Sequence, residues 1–229
     1  YETAVIVKDG LSRRDPVGGG EGGEDVFYYL TLYNENYSMP PMPAGVEQGV
    51  VEGLYRWAEA PEVNGPRATL LFSGATYRCA LAARDELASV YGVGTELWSA
   101  TSYQQLRMQA LEVERWNRLH PSAAPRTPLV TQKLEDSKGP IVAVTDYMRM
   151  VPDQIARWVP RRFMPLGTDG FGRSDTREAL RRYFEIDAPS IVLTVLTELV
   201  AEGAIVPAAL EDAIARYKIP TDGPVPWHD

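Results

Sequence analysis

The sequence predicts an α/β fold: a doubly wound, mostly parallel sheet with a helical tail, set after a Pro-rich break. Three observations carry that expectation. Short apolar runs such as Ala68–Ser73 and Ile141–Val144 lack the alternation of a half-exposed strand, so both sheet faces should be covered. These runs alternate with stretches of helical periodicity, the pattern of βαβ units. A Pro-rich break from Tyr33 to Pro43 (YNENYSMPPMP) divides this region from a start with a different rhythm.

In chain order, Glu2 to Lys8 reads as a strand, β-rich and closed by the turn signal Asp9-Gly10. A chain that opens in a strand, without Met, suggests a piece of something longer. Leu11 to Glu24 is polar and Gly-rich, a loop with nothing to build a core. Asp25 to Leu32, dense in aromatics, reads as a second strand. After the break, Ala44 to Trp57 places Val46, Val50, Leu54 and Trp57 on one helical face. Strands are then expected at 68–73, 96–100, 141–144 and 163–166. Helices are expected at 76–90, at 103–119, and at 148–159 with a break near Pro152. In the tail, Ser174 is placed to cap a helix over 175–184. Asp187-Ala188-Pro189 starts another that Gly203 ends, and Pro207 opens a third reaching Lys218. The break suggests two units, residues 1–43 and residues 44–229.

The chain has 229 residues, is 45% apolar and carries a formal net charge of −8. That size and apolar content support a real core. The charge argues against nucleic acid or an anionic membrane as a general partner, although Arg161, Arg162, Arg173, Arg177, Arg181 and Arg182 crowd together. One cysteine, Cys79, excludes an internal disulfide and suits a reducing, cytoplasmic setting. Two histidines, His120 and His228, are too few for a His-rich metal site. No apolar run is long enough to span a membrane, and no signal segment is visible.

The stretch LGTDGFGRSDTRE, Leu166 to Glu178, poses a sharper question. Glycine-rich turns between a strand and a helix commonly cradle phosphate. Here the spacing is G-x-x-G-x-G, no Gly-Lys-Ser or Gly-Lys-Thr follows, and Asp169 and Asp175 would repel an anion. Loop geometry and helix capping explain these residues better.

Four motifs in order carry a resemblance. They are Tyr33-Asn34-Glu35-Asn36-Tyr37 with Met42-Pro43, and Glu114-Arg115-Trp116-Asn117 with Leu119-His120-Pro121. Thr145-Asp146-Tyr147-Met148 and Leu166–Glu178 complete the set. Together they resemble the C-terminal part of the homodimeric bacterial pyruvate dehydrogenase, the decarboxylating first component of its complex, in the transketolase superfamily. The resemblance implies that residues 1–43 are the end of a second α/β domain, the pyrimidine-binding one, plus loop and linker, and that 44–229 form a transketolase-like C-terminal domain. It implies thiamine diphosphate and Mg2+, pyruvate as substrate, a homodimer, and transfer to the lipoyl domain of a dihydrolipoyl acetyltransferase component. The family's Gly-Asp-Gly diphosphate motif is absent, since Thr168 precedes Asp169-Gly170. This segment alone is therefore expected to bind cofactor poorly and to be inactive, with no cofactor or metal ligands of its own.

By resemblance, Tyr37 reaches the active site and hydrogen-bonds the substrate-derived group. Cys79 stands after Ser73-Gly74 and Arg78, where some relatives are expected to have a histidine. Its alternative is a small buried thiol. His120 is a candidate catalytic group or a capping histidine at a helix end. Glu35 and Asn36 are expected to hold the linker, and Glu114, Arg115 and Asn117 to fix a corner. Asp169, Arg173 and Asp175 are candidates for an interface or channel rim. Trp98, Trp116 and Trp158 read as core or interface aromatics, and His228 as a tail residue. Two other readings stay open: a non-catalytic assembly module, and the end of a 2-oxoglutarate dehydrogenase or transketolase.

Overall fold

The computed structural model describes residues 1–14, 23–33, 36–38, 40–223, 225, 226 and 228. Its centre is a five-stranded sheet in the order β1-β3-β2-β4-β5, built from β1 (Tyr55–Ala58), β2 (Arg67–Phe72), β3 (Gly94–Ser99), β4 (Ile141–Val144) and β5 (Phe163–Leu166). β2 to β5 are parallel, and β1 joins β3 antiparallel at one edge. The mostly parallel α/β architecture expected from the apolar runs is the one observed.

Side chains alternate along each strand and feed two cores. Leu70, Phe72, Leu97, Val142 and Val144 face one layer, together with α3 (Tyr77–Tyr91) and α8 (Ala188–Ala201). Leu71, Trp98, Ile141 and Ala143 face the other, with α4 (Tyr103–Leu119) and α5 (Leu129–Leu134). β4 is buried along its whole length, which is why its sequence is continuously apolar. α9 (Ala208–Tyr217) packs on α8 and completes the tail. Asp187 caps α8 by accepting the Ser190 N–H at 3.1 Å, as its Asp-Ala-Pro start suggests.

The connections give the sheet its polarity. From β2 the chain crosses one face through α3 to reach β3. From β3 it returns over the other face, past β2, to β4, and then steps on to β5. The connections leaving the neighbours β2 and β4 therefore depart in opposite directions. A crevice opens at such a switch point, outside the carboxyl ends of the two strands.

Several expectations fail at the start of the chain. Residues 2–8 are not a strand but the first part of α1 (Glu2–Arg14), which runs through Asp9-Gly10. β-branched residues favour a strand only where a neighbour takes up the ladder bonds. With none beside it, a helix satisfies its own backbone. α1 buries no residue fully. Its Glu2 carboxylate accepts the Ser99 Oγ–H at 2.6 Å and the Tyr55 hydroxyl at 2.8 Å, which ties it to the sheet. Residues 25–32 are likewise not a strand. They lie along α1, where the Tyr28 hydroxyl donates to Asp9 at 2.6 Å. Of the expected loop at 11–24, residues 11–14 belong to α1, and 15–22 lie outside the described residues.

The helix expected at 44–57 is cut to α2 (Glu47–Glu52). Gly53 stops it at φ +100, and Tyr55 to Ala58 then become the edge strand. α5 was not foreseen. The break expected near Pro152 is present, and the stretch 148–159 is reduced to α6 (Met150–Asp153) and a short 3-10 turn at Ala156–Trp158. In the tail, Thr176 rather than Ser174 caps α7 (Arg177–Tyr183), its Oγ accepting the Ala179 N–H at 3.3 Å.

Leu70 is fully buried in the central strand, so Leu70→Ala should lower the unfolding free energy in urea by about 2–5 kcal/mol. A loss below about 1 kcal/mol would show that this layer is not the cooperative core.

Candidate functional site at the carboxyl edge of the sheet

β2 runs out into Ser73-Gly74, and β4 into Thr145-Asp146. Because Phe72 pairs with Val144, the two exits lie side by side. Ser73 Oγ and Thr145 Oγ1 are 2.7 Å apart and buried. The Thr76 hydroxyl closes the turn by donating to the Ser73 carbonyl at 2.7 Å.

The crevice between the exits is filled by the chain itself. Tyr33 heads the Pro-rich strap, of which residues 33, 36–38 and 40–43 are described, and donates its hydroxyl to the Asp146 carboxylate. The same oxygen accepts the Ala75 N–H at 3.4 Å. Burial, and after it the negative Asp146, raise the Tyr33 pKa well above the ordinary phenol value. Gly74 makes the approach possible: its φ is +52, and a Cβ there would lie 2.6 Å from the Tyr33 oxygen.

Tyr37 lies one step along the strap. Its ring meets Tyr33 edge-on at 5.8 Å, and the Arg177 guanidinium stands 5.9 Å from both ring centres. The Tyr77 hydroxyl donates to the Ser38 carbonyl at 2.7 Å and holds the strap beyond. Tyr37 is half-buried and lines a cavity of about 180 Å³ with Glu2, Trp57, Phe72, Gly74 and Tyr77. Asn36 is exposed, and Glu35 lies outside the described residues.

Of the other two candidate catalytic residues, Cys79 lies in the first turn of α3, two residues after Tyr77, and His120 lies elsewhere. Cys79 is buried on α3 among core residues that include Phe184 and Ile191. Burial pushes its thiol pKa up, while the Arg181 guanidinium pulls the other way. His120 is exposed at the end of α4, whose 17 residues lead back from the carboxyl edge over about 25 Å. It stacks on Trp116 at 4.5 Å, and its Nδ1 lies 2.8 Å from the Trp116 carbonyl. Arg126 covers the Trp116 ring at 3.8 Å. Asn117 bonds the Arg126 backbone through both ends of its amide, at 2.9 and 2.8 Å. Glu114 accepts from Arg157 and from the Trp158 indole. This corner is a structural knot at the opposite end of the sheet from Tyr37.

The Gly-rich loop is resolved in the same terms. Thr168 ties it to the β4 exit, donating its hydroxyl to the Asp146 carbonyl at 2.9 Å and its N–H to the Tyr147 carbonyl at 2.8 Å. Asp169 accepts the Arg149 N–H at 3.0 Å, Asp175 accepts the Thr176 N–H at 2.7 Å, and Arg173 covers the Tyr183 ring at 4.3 Å. A Cβ on Gly167 would lie 2.5 Å from the Tyr147 carbonyl, and Gly170 sits at φ +99. Gly172 has open space around it and no positive φ.

The β2 exit offers a diphosphate no free backbone cradle. The N–H groups of Ser73, Ala75 and Thr76, which would cradle one, already have partners in Val144, Tyr33 and Ser73. Asp146 adds negative charge to the same crevice. Among the described residues, no cluster of His, Cys, Asp and Glu could hold a metal ion. No described helix is long and apolar enough to cross a membrane.

Tyr33 and Asp146 were both inside quoted motifs, yet nothing local marked them as partners, being 113 positions apart. Only the strand order, which sequence reading did not supply, puts the two exits together.

Two outcomes follow. Gly167→Ala and Gly170→Ala should each cost about 1–3 kcal/mol in thermal unfolding, and Gly172→Ala close to nothing. Equal melting temperatures for all three would refute a geometric role for the loop. Cys79 should resist iodoacetamide in the native protein at neutral pH and react in urea; rapid native alkylation would contradict its burial.

Residues 53–187, more than half of the chain, match the family described as the transketolase-like TK C-terminal domain. The chain is 45% identical over 99% of its length to the pyruvate dehydrogenase E1 component of Cupriavidus necator. It is 44% identical over 97% to that of Escherichia coli K12, and 43% identical over 96% to that of Mycobacterium tuberculosis. It spans 25%, 24% and 23% of those three proteins, about a quarter of their length. The sheet order, the two covered faces and these matches agree: the chain belongs to the transketolase-like C-terminal domain family.

Proposed function

We propose that this chain serves as the C-terminal segment of a thiamine diphosphate-dependent pyruvate dehydrogenase. That enzyme decarboxylates pyruvate oxidatively and acetylates a lipoyl group of a dihydrolipoyl acetyltransferase component. Near-complete coverage by relatives named pyruvate dehydrogenase E1 component supports the reading. On it, residues 1–43 are the end of the pyrimidine-binding domain and its linker, and 44–229 are the C-terminal domain. The enzyme is a cytoplasmic homodimer, and this segment supplies part of its interface. Thiamine diphosphate and Mg2+ are held mainly by other parts of the enzyme; the crevice between β2 and β4 is taken up by Tyr33 and Asp146.

The observation that carries an active-site role is the position of Tyr37. The strap holds a half-buried phenol at the carboxyl edge, lining a cavity beside Gly74 and Tyr77. A phenol there can donate a hydrogen bond to an oxygen of the substrate-derived group, or exchange a proton with it. Cys79, two residues beyond Tyr77 on α3, is a second candidate at this edge, and His120 helps to fix the far corner.

In the full-length chain, Tyr37→Phe should lower pyruvate turnover about tenfold or more, the loss of one hydrogen bond to a reacting group. Dimer content and melting temperature should stay unchanged. Wild-type turnover would leave this chain as an assembly module. Phe27 and Tyr29, 93% and 89% exposed, would then be the first residues to test for partner contact.

A further inference from the structure

The switch-point crevice is where an α/β sheet most often receives a ligand. In this chain it receives Tyr33. The hydroxyl reaches two loops at once, Asp146 after β4 and Ala75 after β2. The cradle is specific, because Gly74 carries a positive φ and leaves 2.6 Å between its missing Cβ and the tyrosine oxygen. Thr168 braces the Asp146 backbone from the β5 exit at 2.9 Å. Four residues beyond this anchor, Tyr37 rests edge-on against the Tyr33 ring, and Arg177 of α7 stands equally far from both rings. The Tyr77–Ser38 bond holds the other side of Tyr37.

We infer that Tyr33 is a positioning residue: its contact with Asp146 locks the strap into the switch-point crevice and so fixes where the Tyr37 hydroxyl is presented. This rests on the active-site role of Tyr37 proposed above. The contact does not touch substrate. It acts by restricting the strap, so its loss should lower the fraction of time that Tyr37 is correctly placed. The domain thereby uses its ligand crevice to seat part of its own chain, and presents the reactive phenol from the strap.

The test is a double-mutant cycle in the full-length enzyme, with Tyr33→Phe, Tyr37→Phe and the pair, reading kcat, KM for pyruvate and melting temperature. Tyr33→Phe should lower kcat about three- to tenfold with KM within about twofold, as expected when a group is misplaced rather than removed. In the Tyr37→Phe background, the same change should have no further effect on kcat. Asp146→Asn, which keeps an oxygen to accept the hydroxyl, should recover most of the rate that Asp146→Ala loses. Should Tyr33→Phe unfold the protein, the two Asp146 variants carry the same comparison. Wild-type kcat in Tyr33→Phe, with Tyr37→Phe slow, would overturn this inference alone. So would a further loss of kcat in the double variant equal to that of Tyr33→Phe by itself. Wild-type turnover in Tyr37→Phe would remove the proposed function and this inference together.

Discussion

The in-register pairing of β2 on β4 is the constraint on which the rest depends. Phe72 opposite Val144 puts Ser73 beside Thr145, and the next residues, Gly74 and Asp146, become the two lips of one crevice. A slip of one residue would turn Leu70 and Val142 toward opposite cores and part the lips. The register is held by burial: β4 is enclosed on both faces, and its neighbours supply alternating side chains to two separate cores. From that one pairing come the cradle for Tyr33, the docking of the strap and the location of Tyr37.

Burial also explains which elements could be read in the sequence. The runs at 68–73 and 141–144 were legible as strands because a residue enclosed on two faces must be apolar whatever its direction. The helix expected at 103–119 has the bounds of α4; the structure shows Ser102 capping it and Leu106, Ala110 and Val113 buried at helical spacing. The failures lie where tertiary context decides. Residues 2–8 have strand propensity and no strand neighbour. Tyr55 to Ala58 complete a helical period on paper, yet Gly53 turns them onto the free edge of β3.

The candidate site divides the same way. Tyr37 was singled out through a motif, and the structure puts it half-buried beside a cavity. Tyr33 and Asp146 were invisible as a pair, because a contact across 113 residues is written in strand order and not in local spacing. The Gly-rich loop drew attention as a phosphate site. The geometric reading preferred there matches a close approach at Gly167 and a positive φ at Gly170. His120 was grouped with Tyr37, and the fold puts it at the far end of α4; Cys79 stays near the carboxyl edge, two residues after the Tyr77 that lines the Tyr37 cavity.

A crystal structure of the full-length enzyme with a stable pyruvate-derived analogue bound tests the central claim most directly. The account predicts the Tyr33 hydroxyl on Asp146 and the Tyr37 hydroxyl within about 3 Å of an analogue oxygen. A strap displaced from the crevice, with Tyr37 turned from the analogue and Asp146 contacting the ligand itself, would contradict it.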